Sequence, residues 1–499
     1  MMKSRIRERL GISFGHSLAM VTTQRTKEIC QIVRLKSTQV FFVAGTCLVT
    51  VMVTLFCIGF MTRYEVENEV ANVADVDYWK DRVASSQKIW YDKGIEELNE
   101  ALRSPKGPMY PKNVRIFVVQ GIDGRDLAAY RFPAKDLSQG NTNYIWDQFP
   151  HLVRLKNSCS QQFPCQVDRV SRALWSGIPL DKVPESQPDC GKMTNETKNP
   201  LSILRQAQLV GLRTGFVTNQ RITGYTAAAL GNTNSNYECD ERMPLGSSTT
   251  GCQDIARQLI SGETGKSLNV IIGGGRQMLS SLVPKTKWDP VDELLCESND
   301  GRNLLKEWRN QKLKESKVNP IRFELVQRTD ELESLNASSY DHLLGVMANG
   351  DLSGNLKAPS LKLMVEKSLQ VMEKQGQGYL LIVEQFVQSG MDKLKELQML
   401  NETLFNLHKD QDTLTLVLMT NAIYPKARLD VSEETELISN LPETFKESEL
   451  EIQQRLYEMP SESLLFAHGP KSSIFHGIRK ETFLAHAVSH VLSKSRPSP

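Results

Sequence analysis

Residues 37–62 of this 499-residue chain read STQVFFVAGTCLVTVMVTLFCIGFMT, with no charged side chain among them. Twenty-six such residues can cross the hydrocarbon core of a bilayer as a somewhat tilted helix. A cleaved leader would carry a shorter apolar stretch, much nearer the start, with small residues at its end. The flanks are unequal. Residues 1–36 hold eight Lys/Arg (Lys3, Arg5, Arg7, Arg9, Arg25, Lys27, Arg34, Lys36) against Glu8 and Glu28. Beyond the run come Glu65, Glu67, Glu69, Asp75 and Asp77. The Lys/Arg bias assigns the basic side to the cytoplasm. The expectation is a single-pass type II membrane protein with a cytoplasmic tail at 1–36 and a signal-anchor helix at 37–62. Everything after it lies outside the cell or in the secretory lumen, at the plasma membrane or along the secretory pathway.

The formal net charge of +2 is therefore an average. The tail carries +6, and residues 63–499 carry 52 basic and 56 acidic side chains, a net of −4. A balance so near zero gives no reason to expect nucleic acid as a partner. With 40% hydrophobic and 24% charged residues the composition is globular, which excludes wholesale disorder. Six of the nine Cys (Cys159, Cys165, Cys190, Cys239, Cys252, Cys296) fall in the ectodomain. An even count in an oxidising compartment predicts up to three disulfides, with fifteen pairings open. Sequons begin at Asn195, Asn336 and Asn401, the expected glycosylation sites.

The ectodomain alternates helices and apolar runs. Residues 76–103 predict an amphipathic helix that closes a stalk segment, 63–103. After it come a buried strand at 114–119 and a turn at Gly121 and Gly124. Helices near 200–211, 252–261, 303–316, 360–375 and 391–408 each precede an apolar run, at 213–218, 269–272, 321–325, 378–384 and 413–419 respectively. A strand at 463–467 and a helix near 480–493 close a domain spanning 104–494. This order predicts an α/β fold, a doubly wound and mostly parallel sheet with helices on both faces. Ligands in such folds sit at the carboxyl ends of the strands. Residues 430–458, with nine Asp/Glu and two Lys/Arg, read as a solvated connection.

Generic catalytic motifs are missing. There is no P-loop, no G-x-S-x-G and no H-E-x-x-H. Gly273-Gly274-Gly275-Arg276 follows a strand but lacks the rest of a dinucleotide fingerprint, and reads as a structural turn. Only eight His are available (16, 151, 342, 408, 468, 476, 486, 490), a small pool for a multi-metal site. His486 and His490 share a face of the last helix and read as a surface or satisfied pair.

Several stretches, in order across 77–493, resemble blocks of the metal-dependent alkaline phosphatase family. They are Lys112-Asn113-Val114-Arg115-Ile116-Phe117, Phe149-Pro150, Arg221 with Ala227-Ala228-Ala229, Cys252-Gln253-Asp254-Ile255-Ala256, and Ile272-Gly273-Gly274-Gly275-Arg276. Asp341-His342-Leu343-Leu344-Gly345, Leu380-Leu381-Ile382-Val383-Glu384, Asp412-Thr413-Leu414-Thr415 and His476-Gly477 follow. The resemblance implies phosphomonoester hydrolysis, with two zinc ions, a magnesium, a serine nucleophile and an arginine clamp. Metals lower the nucleophile's pKa and neutralise the transferring group. It also implies a homodimer, since the helix at 76–103 resembles the family's N-terminal helix, which packs on the other subunit. Cys190 and Cys252 match a family disulfide, leaving Cys159–Cys165 and Cys239–Cys296 by elimination.

This chain departs from the family at the chemistry. Gln120 holds a metal-bridging Asp position, and Asp123 reaches it only by a three-residue shift. Val167 stands where the serine belongs. Asp168 and Arg169 follow it, and Ser171 is the nearest hydroxyl. Thr226 matches a magnesium ligand, with Thr223 or Gly224 where a His or Asp is expected. The clamp maps to Asn234 or Ser235. Glu384 matches the metal-binding glutamate, but the zinc ligands that follow become Ser389 and Lys393. Thr420 and Asn421 replace a further Asp-His pair, and Glu458 replaces the last His. The crown region, 422–460, is shortened, and the chain ends SKSRPSP with no GPI-type tail.

The expected function is thus that of a membrane-anchored pseudophosphatase acting by binding an extracellular or luminal ligand or protein. No catalytic residue is expected at the nucleophile position, no cofactor is required, zinc is doubtful, and Glu384 and Thr226 are vestigial metal ligands open to residual magnesium. The alternatives are an active hydrolase with ligands rearranged onto Asp123, Asp168, Glu384 and Asp392, and a purely structural or adhesive ectodomain.

Overall fold

The computed structural model describes residues 83–102, 110–124, 127, 144–156, 167–179, 201–243, 253–387, 392–420 and 462–494, less 232, 234, 236, 354, 356 and 375. All belong to one compact unit, Asp75–Pro499. Among the described residues no helix is long and apolar enough to cross a membrane, and the run at 37–62 lies outside them. So do the crown region, Asn195, Asn234, Ser389, Asn421, Glu458 and the cysteines 159, 165, 190 and 252.

The domain is built on a ten-stranded sheet. In chain order the strands are β1 Asn113–Gln120, β2 His151–Lys156, β3 Arg213–Arg221, β4 Val270–Gly274, β5 Phe323–Val326, β6 His342–Val346, β7 Tyr379–Phe386, β8 Thr413–Thr420, β9 Ser463–His468 and β10 Gly477–Lys480. Their order in space is β10-β2-β9-β8-β1-β7-β3-β4-β6-β5. Every pairing is parallel except those of β9 with β8 and β2. The doubly wound, mostly parallel expectation therefore holds. β1, β7 and β8 are buried almost throughout, which is why they read as unbroken apolar runs rather than alternating ones.

Helices cover both faces. On one, Met364, Val365 and Leu369 of α7 (Leu361–Met372) and Leu397, Leu400 and Leu404 of α8 (Asp392–Leu407) share a core with Phe117, Val119, Leu381, Val383 and Val417. The alternate side chains, such as Ile116, Val118, Ile382 and Leu416, are equally buried and face the other way. That side carries α1 (Lys88–Leu102), α2 (Val167–Ser176), α3 (Ile203–Leu209) and α9 (Phe483–Lys494). Between them in sequence lie α4 (Tyr225–Leu230), α5 (Ile255–Ser261) and α6 (Leu304–Val318). The Ncap side chains of Ser202, Asp254, Asn303 and Ser360 each accept a backbone N–H three residues on, which starts α3, α5, α6 and α7.

Some boundaries and elements differ from the sequence expectation. The first helix opens as a 3₁₀ turn, Ser85–Gln87, and residues 76–82 lie outside the described set. The last helix starts at Phe483, because 477–480 pair with β2 as an edge strand. β2, β6 and β10 were not expected as strands: β2 mixes basic and apolar residues and β10 is mostly exposed, whereas β6 is a buried run as short as β4. Of the surface and satisfied readings of His486 and His490 the surface one fails: both are buried, because α9 packs between α1, α2 and α3. The Gly273-Gly274-Gly275 turn is structural, as expected. A Cβ on Gly274 would run into the Gly350 carbonyl, and the Gly275 and Arg276 amides donate to the carbonyls of Gly350 and Ala348. Those amides are consumed by backbone.

Candidate functional site

The carboxyl ends of β1, β3, β7 and β8 meet at the centre of the sheet. The register pairs Thr218 with Glu384, Val118 with Glu384, and Gln120 with both Phe386 and Thr420. Strand alternation therefore turns Gln120, Thr218, Glu384 and Thr420 to one face. A register irregularity between Val217 and Arg221 bends β3 as it leaves the sheet. Such bulges re-aim side chains beside functional sites. Asn219 holds the bend: its amide donates to Phe386 O and accepts from Phe386 N, each at 2.7 Å.

Glu384 is the centre of this arrangement. Its Oε2 accepts from Thr218 Oγ1 at 2.8 Å, and its Oε1 from Thr226 Oγ1 at 2.5 Å. Thr226 is the second residue of α4, and the fold brings it into contact with Glu384. Burial pushes the Glu384 carboxyl up from the usual carboxylate range; the two hydroxyls and Arg221 pull it back, and Asp351 adds to the rise. Gln120 is fully buried, and neither atom of its amide has a hydrogen-bond partner among the described residues. Thr420 Oγ1 accepts from Ser463 Oγ at 2.6 Å.

A second charged group flanks the first. The Arg221 guanidinium grips Glu238 through two hydrogen bonds of 2.5 and 2.7 Å and contacts Asp351 Oδ2 at 3.2 Å. Asp351 also accepts the Arg221 backbone N–H at 2.7 Å. Burial raises Asp351, opposed by Arg221. With both carboxylates engaged, Arg221 has no free fork for a phosphate. Ser235, a clamp position, is buried, and its Oγ accepts from Tyr237 N. Arg172 of α2 donates to the Thr233 and Ser235 carbonyls, which holds that loop.

The other expected positions are spread around this centre. Val167 and Asp168 open α2, so the nucleophile position is a helix N-terminus, where backbone N–H groups favour an anion. Ser171, one turn on, is buried and donates to the Tyr225 carbonyl. Asp123 is buried three residues past β1. Asp392 and Lys393 open α8. Asn336 is exposed, whereas Asn401 is half-buried in α8 and its Oδ1 accepts from Ile145 N at 2.6 Å. Cys239 and Cys296 form a disulfide, the pairing reached by elimination. Sequence reasoning missed Thr218, Glu238, Asp351 and Arg172. Only the Thr218–Glu384 contact left a signal, as a hydroxyl and a carboxylate at the ends of two apolar runs.

The donors were tested against the metals that the resemblance implies. Zinc is held by thiolate, imidazole and carboxylate. Among the described residues that the resemblance aligns with zinc ligands stand the Gln120 amide and the Thr420 hydroxyl, which do not fit it. Among the described residues the one grouping of three metal-ligand side chains is Cys239, Glu241 and Cys296, whose sulfurs are spent in the disulfide. Glu384, Thr226 and the orphaned Gln120 oxygen are hard oxygen donors of the kind magnesium accepts.

The family model described as alkaline phosphatase matches residues 111–420, well over half of the chain. Alkaline phosphatase 4 of Drosophila melanogaster is 26% identical over 381 residues, covering 68% of this chain and 62% of that protein. The membrane-bound alkaline phosphatase of Bombyx mori is 27% identical over 344 residues, covering 64% and 61%. The chain thus spans about three fifths of the length of these relatives. The solved alkaline phosphatase of the Antarctic bacterium TAB5 aligns at 14% identity with a TM-score of 0.47, covering 77% of this chain and 98% of that one.

Proposed function

The chain belongs to the alkaline phosphatase family, and from that membership we propose a membrane-anchored member without phosphatase turnover that acts by binding a ligand or a protein. The observation that carries this reading is the state of Glu384. Both oxygens of this buried carboxyl are taken by threonine hydroxyls, its register partner on β1 is Val118, and the neutral amide of Gln120 stands two residues further along the same face. Val167 has no nucleophilic atom, and loss of a serine nucleophile alone costs about 10⁶ in turnover. The arginine nearest the site is engaged by Glu238 and Asp351. The test is hydrolysis of 4-nitrophenyl phosphate by the full chain from a secretory host. Turnover above background that is abolished in Glu384→Ala would overturn the reading.

A second reading keeps hydrolysis on rearranged ligands, and one observation favours it. The orphaned Gln120 amide shares a sheet face with Glu384, which contacts Thr226, and all three carry oxygen donors suited to a hard cation. These three residues would hold magnesium, which when bound would supply charge neutralisation to a nearby phosphate. Magnesium titration of the full chain, followed by thermal stability, separates the two readings when combined with the turnover assay.

The anchor proposed is the run at 37–62, with the basic tail in the cytoplasm. The charge asymmetry supports it, and a relative in Bombyx mori is named as membrane-bound. A glycosidase-sensitive mass shift that shrinks in Asn336→Gln supports a luminal or extracellular domain. An unglycosylated cytosolic chain contradicts it.

A further inference from the structure

A pocket of about 220 Å³ lies between the N-terminal turn of α6 and the edge strand β5, apart from Glu384. We propose that it binds a small anion bearing an apolar group. The charges point that way. Arg276, Lys306 and Arg309 line the pocket, and no lining residue is acidic. Lys306 and Arg309 are exposed and lie three residues apart, so they share one face of α6. Neither meets a carboxylate among the described residues. The positive end of the α6 dipole adds to their field.

Arg276 supplies a built element. It is 5% exposed. Its Nη1 donates to Asp289 at 2.7 Å and to Asn349 at 2.8 Å, and its Nη2 to the Gln327 and Val346 carbonyls at 3.0 Å. These bonds lock the guanidinium in place, and Nε is the donor left without a partner among the described residues. Asp289 offsets the charge of Arg276, so the excess of about two positive charges comes from Lys306 and Arg309.

The rest of the wall sets size and character. Leu305 and Leu325 are wall residues, and Leu282 stands 89% exposed in the same lining. The volume corresponds to roughly seven waters at liquid density. It lies below the usual range for drug-sized ligands. An anionic head on a ring or short chain fits both limits, with the head toward the cations and the carbon against the leucines.

Calorimetric titration of the full chain with phenylphosphonate tests the assignment, with benzyl alcohol as the uncharged control. The expected result is saturable 1:1 binding that weakens at least tenfold in Lys306→Ala/Arg309→Ala. It should also weaken as salt is raised, and remain unchanged in Glu384→Gln. Both cations are exposed, so the double variant should melt like the wild type. Four results overturn the proposal. They are no saturable binding, binding unchanged in the double variant, equal affinity for benzyl alcohol, and binding lost in Glu384→Gln, which would move the anion to the β1–β7 site.

Discussion

Acid should destabilise this domain through His486. The ring lies 3% exposed inside the packing of α9 on α1, edge-on to Tyr91 at 5.2 Å. Its Nε2–H donates to the Gly177 carbonyl at 2.9 Å. Burial pushes the imidazole down to about 4, with the carbonyl opposing slightly. The folded value lies below the unfolded value of about 6.5, so the unfolded chain binds the proton more readily between the two. The stabilisation is therefore complete above pH 6.5 and is lost as pH falls toward 4. The gap between about 4 and about 6.5 corresponds to about 3 kcal/mol in total, of which about 2 kcal/mol is gone at pH 5. Thermal and urea denaturation at pH 7, 6 and 5 measures this. In His486→Gln the amide can still donate to Gly177 but cannot titrate, so the loss between pH 7 and pH 5 should shrink by about 2 kcal/mol. An identical pH profile in wild type and variant would refute the argument.

Other perturbations have similarly local causes. A Cβ at Gly94 would point directly onto His486 Nε2, so Gly94→Ala should cost about 1–3 kcal/mol by overpacking and lower Tm. Arg221→Ala leaves the Glu238 and Asp351 carboxylates without their cation and should cost about 3–5 kcal/mol in urea denaturation. Cys239→Ser/Cys296→Ser opens a crosslink across 57 residues, and loop entropy alone predicts a loss of about 4 kcal/mol.

Much of the sheet could be read from the residues, and the reason is burial. β1, β7 and β8 are covered on both faces, so each appears as an apolar run with turn residues near its ends. β2, β9 and β10 lie toward one edge. β9 was still an apolar run, but the side chains of β2 and β10 alternate with or face solvent, and the pattern fades. At the site, Glu384 and Thr226 were found through their blocks, and the structure brings them into contact. Arg221 was noticed, but its partners were not. Glu238 lies 17 residues away and Asp351 130, and no local periodicity reports an ion pair closed by a sheet crossover. For His486 and His490 both a surface pair and a satisfied pair stayed open, because the i, i+4 spacing says which residues share a face but not what covers it. The pocket at Arg276 was invisible for the same reason. Its cations come from the end of β4 and from one turn of α6, and only the fold joins them.

The central claim is that the fold persists without the hydrolytic chemistry. One preparation of the full chain from a secretory host tests it, assayed for bound zinc and for 4-nitrophenyl phosphate turnover. The account predicts less than stoichiometric zinc and no turnover above the host background. Two zinc ions per chain, with turnover abolished by Glu384→Ala, would contradict it.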